Sequence, residues 1–233
     1  MALHVDSLAI DARDPEAMAR WWQQVLGGEV VREQGTVPRL VGVAGSPPID
    51  FLLVDEPPVG KNRLHLDLRG RDQAAEVARL RALGATPADV GQGPDATWVV
   101  LADPEGNVLC VLSSNERAET VAVANLAVDA RDPEALARWW QQVLGGRVDD
   151  DEDDEEVVCL DGAAGAPHLD FVRVADPKVG KNRLHLDLRP DDQAAEVARL
   201  EALGATRVEE RSNAFGQTWV VMRDPEGNGF CVS

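Results

Sequence analysis

Positive charge is scarce in this chain of 233 residues: 23 Lys and Arg stand against 41 Asp and Glu, a formal net charge of −18. Such a surface has little with which to neutralise a phosphate backbone, which argues against nucleic acid as a partner. Long hydrophobic runs are missing. None approaches the roughly 20 residues that span a bilayer, and the opening MALHVDSLAIDARDPEA lacks the basic and apolar regions of a signal peptide. No membrane partner is expected. Cysteine is sparse too: Cys110, Cys159 and Cys231 are odd in number, widely spaced and without a CxxC pair. A disulfide framework or structural zinc knot is therefore not expected, and a reducing cytoplasm is the expected setting. Nucleophile elbows, phosphate-cradling glycine loops and dinucleotide fingerprints are all missing. Lysine is rare beside arginine and alanine is abundant, the bias of a GC-rich bacterial genome.

What the chain does have is repetition. VGKNRLHLDLR ends at Arg69 and again, unchanged, at Arg189. ARWWQQVLGG occupies 19–28 and 137–146, QAAEVARL 73–80 and 193–200, DPEGN 103–107 and 224–228. A period of about 120 residues is far too long for a solenoid. The reading is a tandem duplication: a first domain over 1–113, a polar linker over 114–121 and a second domain over 122–233, each with its own core. Hydrophobic content of 44% and charged content of 27% suit soluble globular domains.

Within each copy, strand and helix signals alternate. After a strand over HVDSLAIDA, Asp14 offers an N-cap oxygen and Pro15 the preset φ of a first helical turn. Met18, Trp21, Trp22, Val25 and Leu26 then mark one apolar helix face, closed by Gly27. Strands are predicted over 29–33, 38–43 and 49–54. The cycle restarts with a strand over 62–69, a helix over 72–83, and strands near 85–89, 97–102 and 107–113. DPEG suits a type I turn. The fold class is therefore α+β, four βαβββ modules in two pairs.

Period-two alternation places Arg63, His65, Asp67 and Arg69 on one strand face and Leu64, Leu66 and Leu68 on the other, with the same split at Arg183, His185, Asp187 and Arg189. Taken together, the "RDPEAxARWW" helix, LGG, the histidine-bearing strand and the final DPEGN hairpin resemble the vicinal oxygen chelate superfamily. That group includes glyoxalase I, bleomycin-resistance proteins and extradiol dioxygenases. The resemblance is to its glyoxalase-like branch and spans nearly the whole chain. It implies curved sheets of paired modules around a small-molecule cavity, commonly with a divalent metal on the floor.

The resemblance also implies ligand positions, which fall on Ser7, Asp50 (Leu52 with a two-residue slip), His65 and Cys110 in copy one. In copy two they fall on Asn125, Asp170 (or Val172), His185 and Cys231. Only the histidine is retained, and hydroxyls and amides replace imidazole poorly, so no metal and no other cofactor are expected. Asp50, His65 and Cys110 remain a conceivable softer set. His65 and His185 are the candidate acid/base groups, each beside a same-face carboxylate, Asp67 or Asp187. Their structural alternative is a satisfied strand histidine, with Arg63–Asp67 or Lys61 pairs knitting the strand. Arg69 and Arg189 are candidates for holding an anionic group. The Trp21–Trp22 and Trp139–Trp140 pairs read as core; Trp98 and Trp219 read as core or as stacking surfaces for a ligand. The acidic run at 149–156 lacks calcium-loop spacing and reads as a solvated connector. Gly229, in place of Val108, is expected to open space beside Cys231 and make the two cavities unequal.

The function expected is metal-free binding of a small organic molecule, by sequestration as in bleomycin-resistance members or as a metabolite binder. The alternative is a lyase or isomerase of glyoxalase type, either metal-dependent or using a cavity histidine. The expected assembly is a monomer acting as an intrachain pseudo-dimer, or a homodimer.

Overall fold

A computed structural model describes residues 3–32, 36–55, 62–93, 95–149, 156–176 and 179–233. The first module holds β1 (His4–Ala12), α1 (Pro15–Leu26), β2 (Glu29–Val31), β3 (Arg39–Val41) and β4 (Ile49–Leu53). The second holds β5 (Leu64–Arg69), α2 (Gln73–Ala82), β6 (Thr86–Pro87), β7 (Val99–Ala102) and β8 (Val108–Val111). Copy two repeats the order with β9 (Ala122–Ala130), α3 (Pro133–Leu144), β10 (Arg147–Asp149), β11 (Val157–Asp161) and β12 (Leu169–Arg173). It ends with β13 (Leu184–Arg189), α4 (Gln193–Ala202), β14 (Thr206–Ser212), β15 (Thr218–Arg223) and β16 (Gly229–Val232). The expected β-α-β-β-β module recurs four times. The predicted strand near 85–89 shrinks to two residues in β6, where Pro87 removes a ladder donor; β14, with Arg207 at the matching place, runs seven residues.

Local chemistry explains the helices. Asp14 Oδ1 accepts from the Ala17 amide at 3.0 Å, and Asp132 does the same for Ala135 at 3.1 Å. Met18, Trp21, Trp22, Val25 and Leu26 are all buried, and each is worth about 1.5–3 kcal/mol by transfer from water. The tryptophan pairs are core, as expected, with rings edge-to-face at 5.1 and 5.0 Å. Trp21 Nε1 and Trp139 Nε1 each donate to the carbonyl that ends the neighbouring helix, Leu83 and Leu203, at 2.9 Å. Arg79 reaches back to the Gln24 and Val25 carbonyls at 2.8 Å, closing the C-terminus of α1.

The sheets do not respect the repeat. One eight-stranded sheet, here sheet A, runs β14-β15-β16-β13-β1-β4-β3-β2; the other, sheet B, runs β10-β11-β12-β9-β5-β8-β7-β6. Each joins the first module of one copy to the second module of the other. The seams are antiparallel: β1 with β13 and β5 with β9. Leu8, Ile10, Leu64, Leu66, Leu68, Leu186 and Leu188 face the helices and belong to one continuous apolar core drawn from both copies. Among the described residues this core is shared by both copies rather than divided between them, and a small cluster of Val100, Val108 and Cys110 stands apart from it.

The repeated motifs account for the crossing. Arg183 of copy two donates to the Asp11 carbonyl at 2.8 Å and to Asn107 at 3.2 Å, and pairs with Glu105 at 3.5 Å, all in copy one. Arg63 mirrors it, reaching the Asp176 carbonyl at 2.9 Å and Glu226 at 3.4 Å. The expected Arg63–Asp67 pair does not form, since the guanidinium is spent on this clasp; Lys61 lies outside the described residues. Glu105 and Glu226 in turn accept from the amides ahead of α1 and α3 at 2.7–2.9 Å. Asp103 and Asp224 hold the DPEGN turns by accepting from Asn107 and Asn228, and burial pushes both carboxyls up.

Two glycines permit close approach of the copies. A Cβ on Gly45 would lie 2.0 Å from the Val123 carbonyl oxygen, and one on Gly165 would lie 2.5 Å from that of Val5. Both have φ in the left-handed region, +78° and +74°. Beside them, the Val5 and Val123 amides donate to Ala164 and Ala44 of the other copy at 2.8 and 3.0 Å.

Candidate functional site

The face of each sheet turned away from the helices is polar near its seam. In sheet B, Asp67 sits between its register partners Asn125 on β9 and Cys110 on β8. Asn125 Nδ2 donates to Asp67 Oδ2 at 2.8 Å, while His65 Nε2 lies 3.3 Å from Asp67 Oδ1. In sheet A, Asp187 sits between Ser7 and Cys231, and His185 Nε2 lies 3.4 Å from Asp187 Oδ1. The donor atoms of His65, Asp67 and Cys110 converge within 4.8 Å of one another, as do those of His185, Asp187 and Cys231. Sequence grouping by copy is thereby divided. Ser7 and Asp50 lie beside His185 and Cys231, and Asn125 and Asp170 beside His65 and Cys110, because the strands cross between copies. The softer Asp50–His65–Cys110 set does not form; Asp67 takes the carboxylate's place.

Electrostatics separate the two floors. Burial opposes a charge on His185, but hydrogen bonds and charge from Asp187 and Cys231 outweigh it and raise the imidazole well above its ordinary 6.5. Ser7 Oγ on floor A and His65 Nδ1 on floor B are buried without a hydrogen-bond partner, while Asp187 Oδ1 and Asp67 Oδ1 meet the imidazoles at 3.4 and 3.3 Å. Ser7 is too short to make the bond that Asn125 makes.

One register step outward, the homologous carboxylates of β4 and β12 meet different cations. Arg39 clamps Asp50 through two hydrogen bonds at 2.7 and 2.6 Å, which raises the guanidinium further. Asp170 instead accepts from Cys159 Sγ at 3.2 Å and pairs with His168 Nε2 at 2.8 Å, and His168 Nδ1 meets Asp161. Hydrogen bonds to Asp170, Cys159 and Asp161 push His168 up to about 11 against the opposing pull of burial. The His168 contact lowers the Cys159 thiol, yet burial and Asp170 leave it raised overall. The site reading of the sequence passed over Cys159, His168 and Asp161. The signal was present: VCLDG and PHLD place them at alternate positions on two antiparallel strands.

Other expectations meet mixed outcomes. Arg69 is exposed at the sheet end, and Arg189 pairs with Asp6 at 3.1 Å. Trp98 is 42% exposed rather than core, and Trp219 is half-buried opposite Arg211. Trp219 lies on β15 two residues from Val221, the partner of Cys231, and Trp98 stands one residue before β7, two from Val100, the partner of Cys110. The space beside Gly229 is a cavity of about 10 Å³ lined by Trp140, Phe171, Leu186 and Phe230. It faces the apolar core, not the polar floor, and holds no ligand-sized volume. Residues 150–155 of the acidic run lie outside the described residues. No described helix is long and apolar enough to cross a membrane.

The donors do not fit the divalent ion of the superfamily's metal enzymes. The first-strand position offers a hydroxyl or an amide in place of an imidazole, Asp50 of β4 is clamped by Arg39, and each floor's histidine lies against the carboxylate two residues along its own strand.

The fold matches that of glyoxalase I from Zea mays, with a TM-score of 0.69 at 13% identity, covering 99% of this chain and 92% of that one. A putative dioxygenase from Bacillus subtilis matches with a TM-score of 0.63 at 13% identity, covering 98% and 84%. No curated protein sequence matches significantly. The model of the glyoxalase-like domain matches residues 7–112 and again 125–233, so the chain belongs to the glyoxalase-like domain family as a tandem of two.

Proposed function

We propose that the protein binds a small polar organic molecule on these floors without a metal ion. The observation that carries this reading is a buried seam atom without a hydrogen-bond partner on each floor, Ser7 Oγ on floor A and His65 Nδ1 on floor B. Each such atom costs about 1–3 kcal/mol unless something pairs with it. A hydroxyl, amide or amine group on a ligand supplies a donor for the aspartates and an acceptor or donor for Ser7 and His65. Trp98 and Trp219 extend each floor with an aromatic surface. The floors differ, so their ligand preferences differ: floor A presents a hydroxyl beside an imidazole raised by Asp187, floor B an amide already bonded to its carboxylate.

A second reading has one specific support. His65 presents Nδ1 without a partner while Nε2 faces Asp67, an arrangement suited to moving a proton at Nδ1. Acid/base turnover of a bound carbonyl compound, as in a lyase or isomerase, would use that atom.

Ligand-observed NMR with a library of hydroxyl- and amine-bearing fragments, on chelator-treated protein, tests the first reading. Fragments should bind without added metal and lose binding in Asp187→Ala or His65→Ala. Binding that requires added Ni or Zn would contradict it. Turnover lost in His65→Ala with affinity retained would favour the second reading.

A further inference from the structure

We propose that Cys159, His168 and Asp170 form a site for one divalent transition-metal ion of zinc type, at the outer margin of floor B and sharing no residue with the His65–Asp67–Cys110 cluster. Cys159 and Asp170 are register partners on β11 and β12, so their side chains share a face. His168 immediately precedes β12 and is fixed by its carbonyl, which accepts from the Leu126 amide at 2.8 Å. The three donor atoms lie within 4.8 Å of one another. Sγ and Nε2 stand 3.2 and 2.8 Å from the same Asp170 oxygen. Ligand atoms on a tetrahedral zinc lie roughly 3.3–3.6 Å apart, from bond lengths of about 2.0–2.3 Å, so the set closes on an ion with shifts of a few tenths of an ångström.

The surroundings favour a ligand role. Asp161 faces His168 Nδ1 and so directs Nε2 into the cluster, the carboxylate–histidine arrangement that orients metal-bound imidazoles. Arg147 lies 3.9 Å from Asp161 at the exposed side of the cluster. Thiolate, imidazole and carboxylate together suit zinc, cobalt or nickel rather than magnesium or calcium. All three ligands are half-buried, which gives an ion access and leaves a fourth position for water or a small molecule. Binding displaces to solvent the protons carried by the thiol and the imidazole. Copy one cannot do the same, because Arg39 and Pro48 stand where copy two has Cys159 and His168. One ion per chain is the expected stoichiometry. The floor clusters are poorer candidates: His65 and His185 share a strand with their carboxylates, and His65 Nδ1 has no carboxylate to orient it.

The test is a titration of the chelator-treated full chain with Co²⁺, followed by absorption. A thiolate-to-cobalt charge-transfer band should grow to one equivalent and be competed away by Zn²⁺. Cys159→Ser should abolish it, and His168→Ala and Asp161→Asn should each weaken binding about 10-fold or more. Cys110→Ser and Cys231→Ser should leave it intact. Circular dichroism checks that each variant is folded, and Asp161→Asn, at a partly exposed position, serves where a ligand variant is not. No band in the parent protein, a band that survives Cys159→Ser, or one lost in Cys110→Ser or Cys231→Ser would overturn the proposal. Either of the last two outcomes would also count against metal-free floors, since Cys110 and Cys231 are the remaining cysteines of the chain.

Discussion

At the scale of single residues, the homologous carboxylates Asp50 and Asp170 show how one fold position is kept while its chemistry changes. Asp50 is 5% exposed and depends on Arg39. Arg39→Ala should destabilise the chain by about 1–3 kcal/mol, less than breaking a fully buried pair because the guanidinium is partly in water. Asp50→Asn in the same chain should recover part of the loss in urea denaturation. His185 makes a pH prediction. Its folded-state affinity for a proton exceeds the unfolded one, so its contribution is complete below the unfolded value of 6.5 and is lost as pH rises through the folded value. The groups around it are Asp187 on its own strand, Cys231 on β16 and Ser7 on β1, with Arg211 of β14 close enough to feel Cys231. Unfolding free energies at pH 6 and pH 9 should fall more in the parent than in His185→Asn. Equal slopes would show that the charge is not held.

At the scale of elements, caps and clasps carry the testable weight. Asp14→Ala and Asp132→Ala should each cost about 1 kcal/mol, read as a shift of the denaturation midpoint without a change of slope. Arg183→Met leaves Glu105 without its buried cation and should cost about 3–5 kcal/mol. Elements were largely legible beforehand, since N-cap aspartates, apolar periodicity and Gly/Pro punctuation are local signals. The histidine-bearing strand was legible only in part. Its alternation correctly separates leucines from polar residues, but alternation cannot say that Arg63 reaches the other copy while Asp67 meets Asn125. Those partners lie 163 and 58 residues away, and distance along the chain carries no such signal.

At the scale of the molecule, duplication and crossing belong together. Every seam strand pairs with the other copy, so residues 1–113 alone would expose the seam edges of β1 and β5 and the leucines behind them. That fragment should yield no stable folded monomer by analytical ultracentrifugation; co-expression with 122–233 should restore the parent's size and thermal transition. Gly165→Ala, which drives a Cβ into the Val5 carbonyl, should weaken the same junction. Sequence repetition reveals two copies but not which halves pair, because both arrangements bury the same leucines. For the same reason it assigns Ser7 to the wrong histidine.

The central claim, that the floors built around His65 and His185 work without a metal ion, is tested most directly by elemental mass spectrometry. The protein to measure is the Cys159→Ser/His168→Ala variant, grown with and without added Ni, Zn, Mn and Fe. Less than about a tenth of an equivalent of any metal is expected, since the first-strand ligand position is a hydroxyl or an amide on each floor and each imidazole lies against the carboxylate of its own strand. Close to one equivalent of a single metal per floor, lost on His65→Ala or His185→Ala, would contradict it.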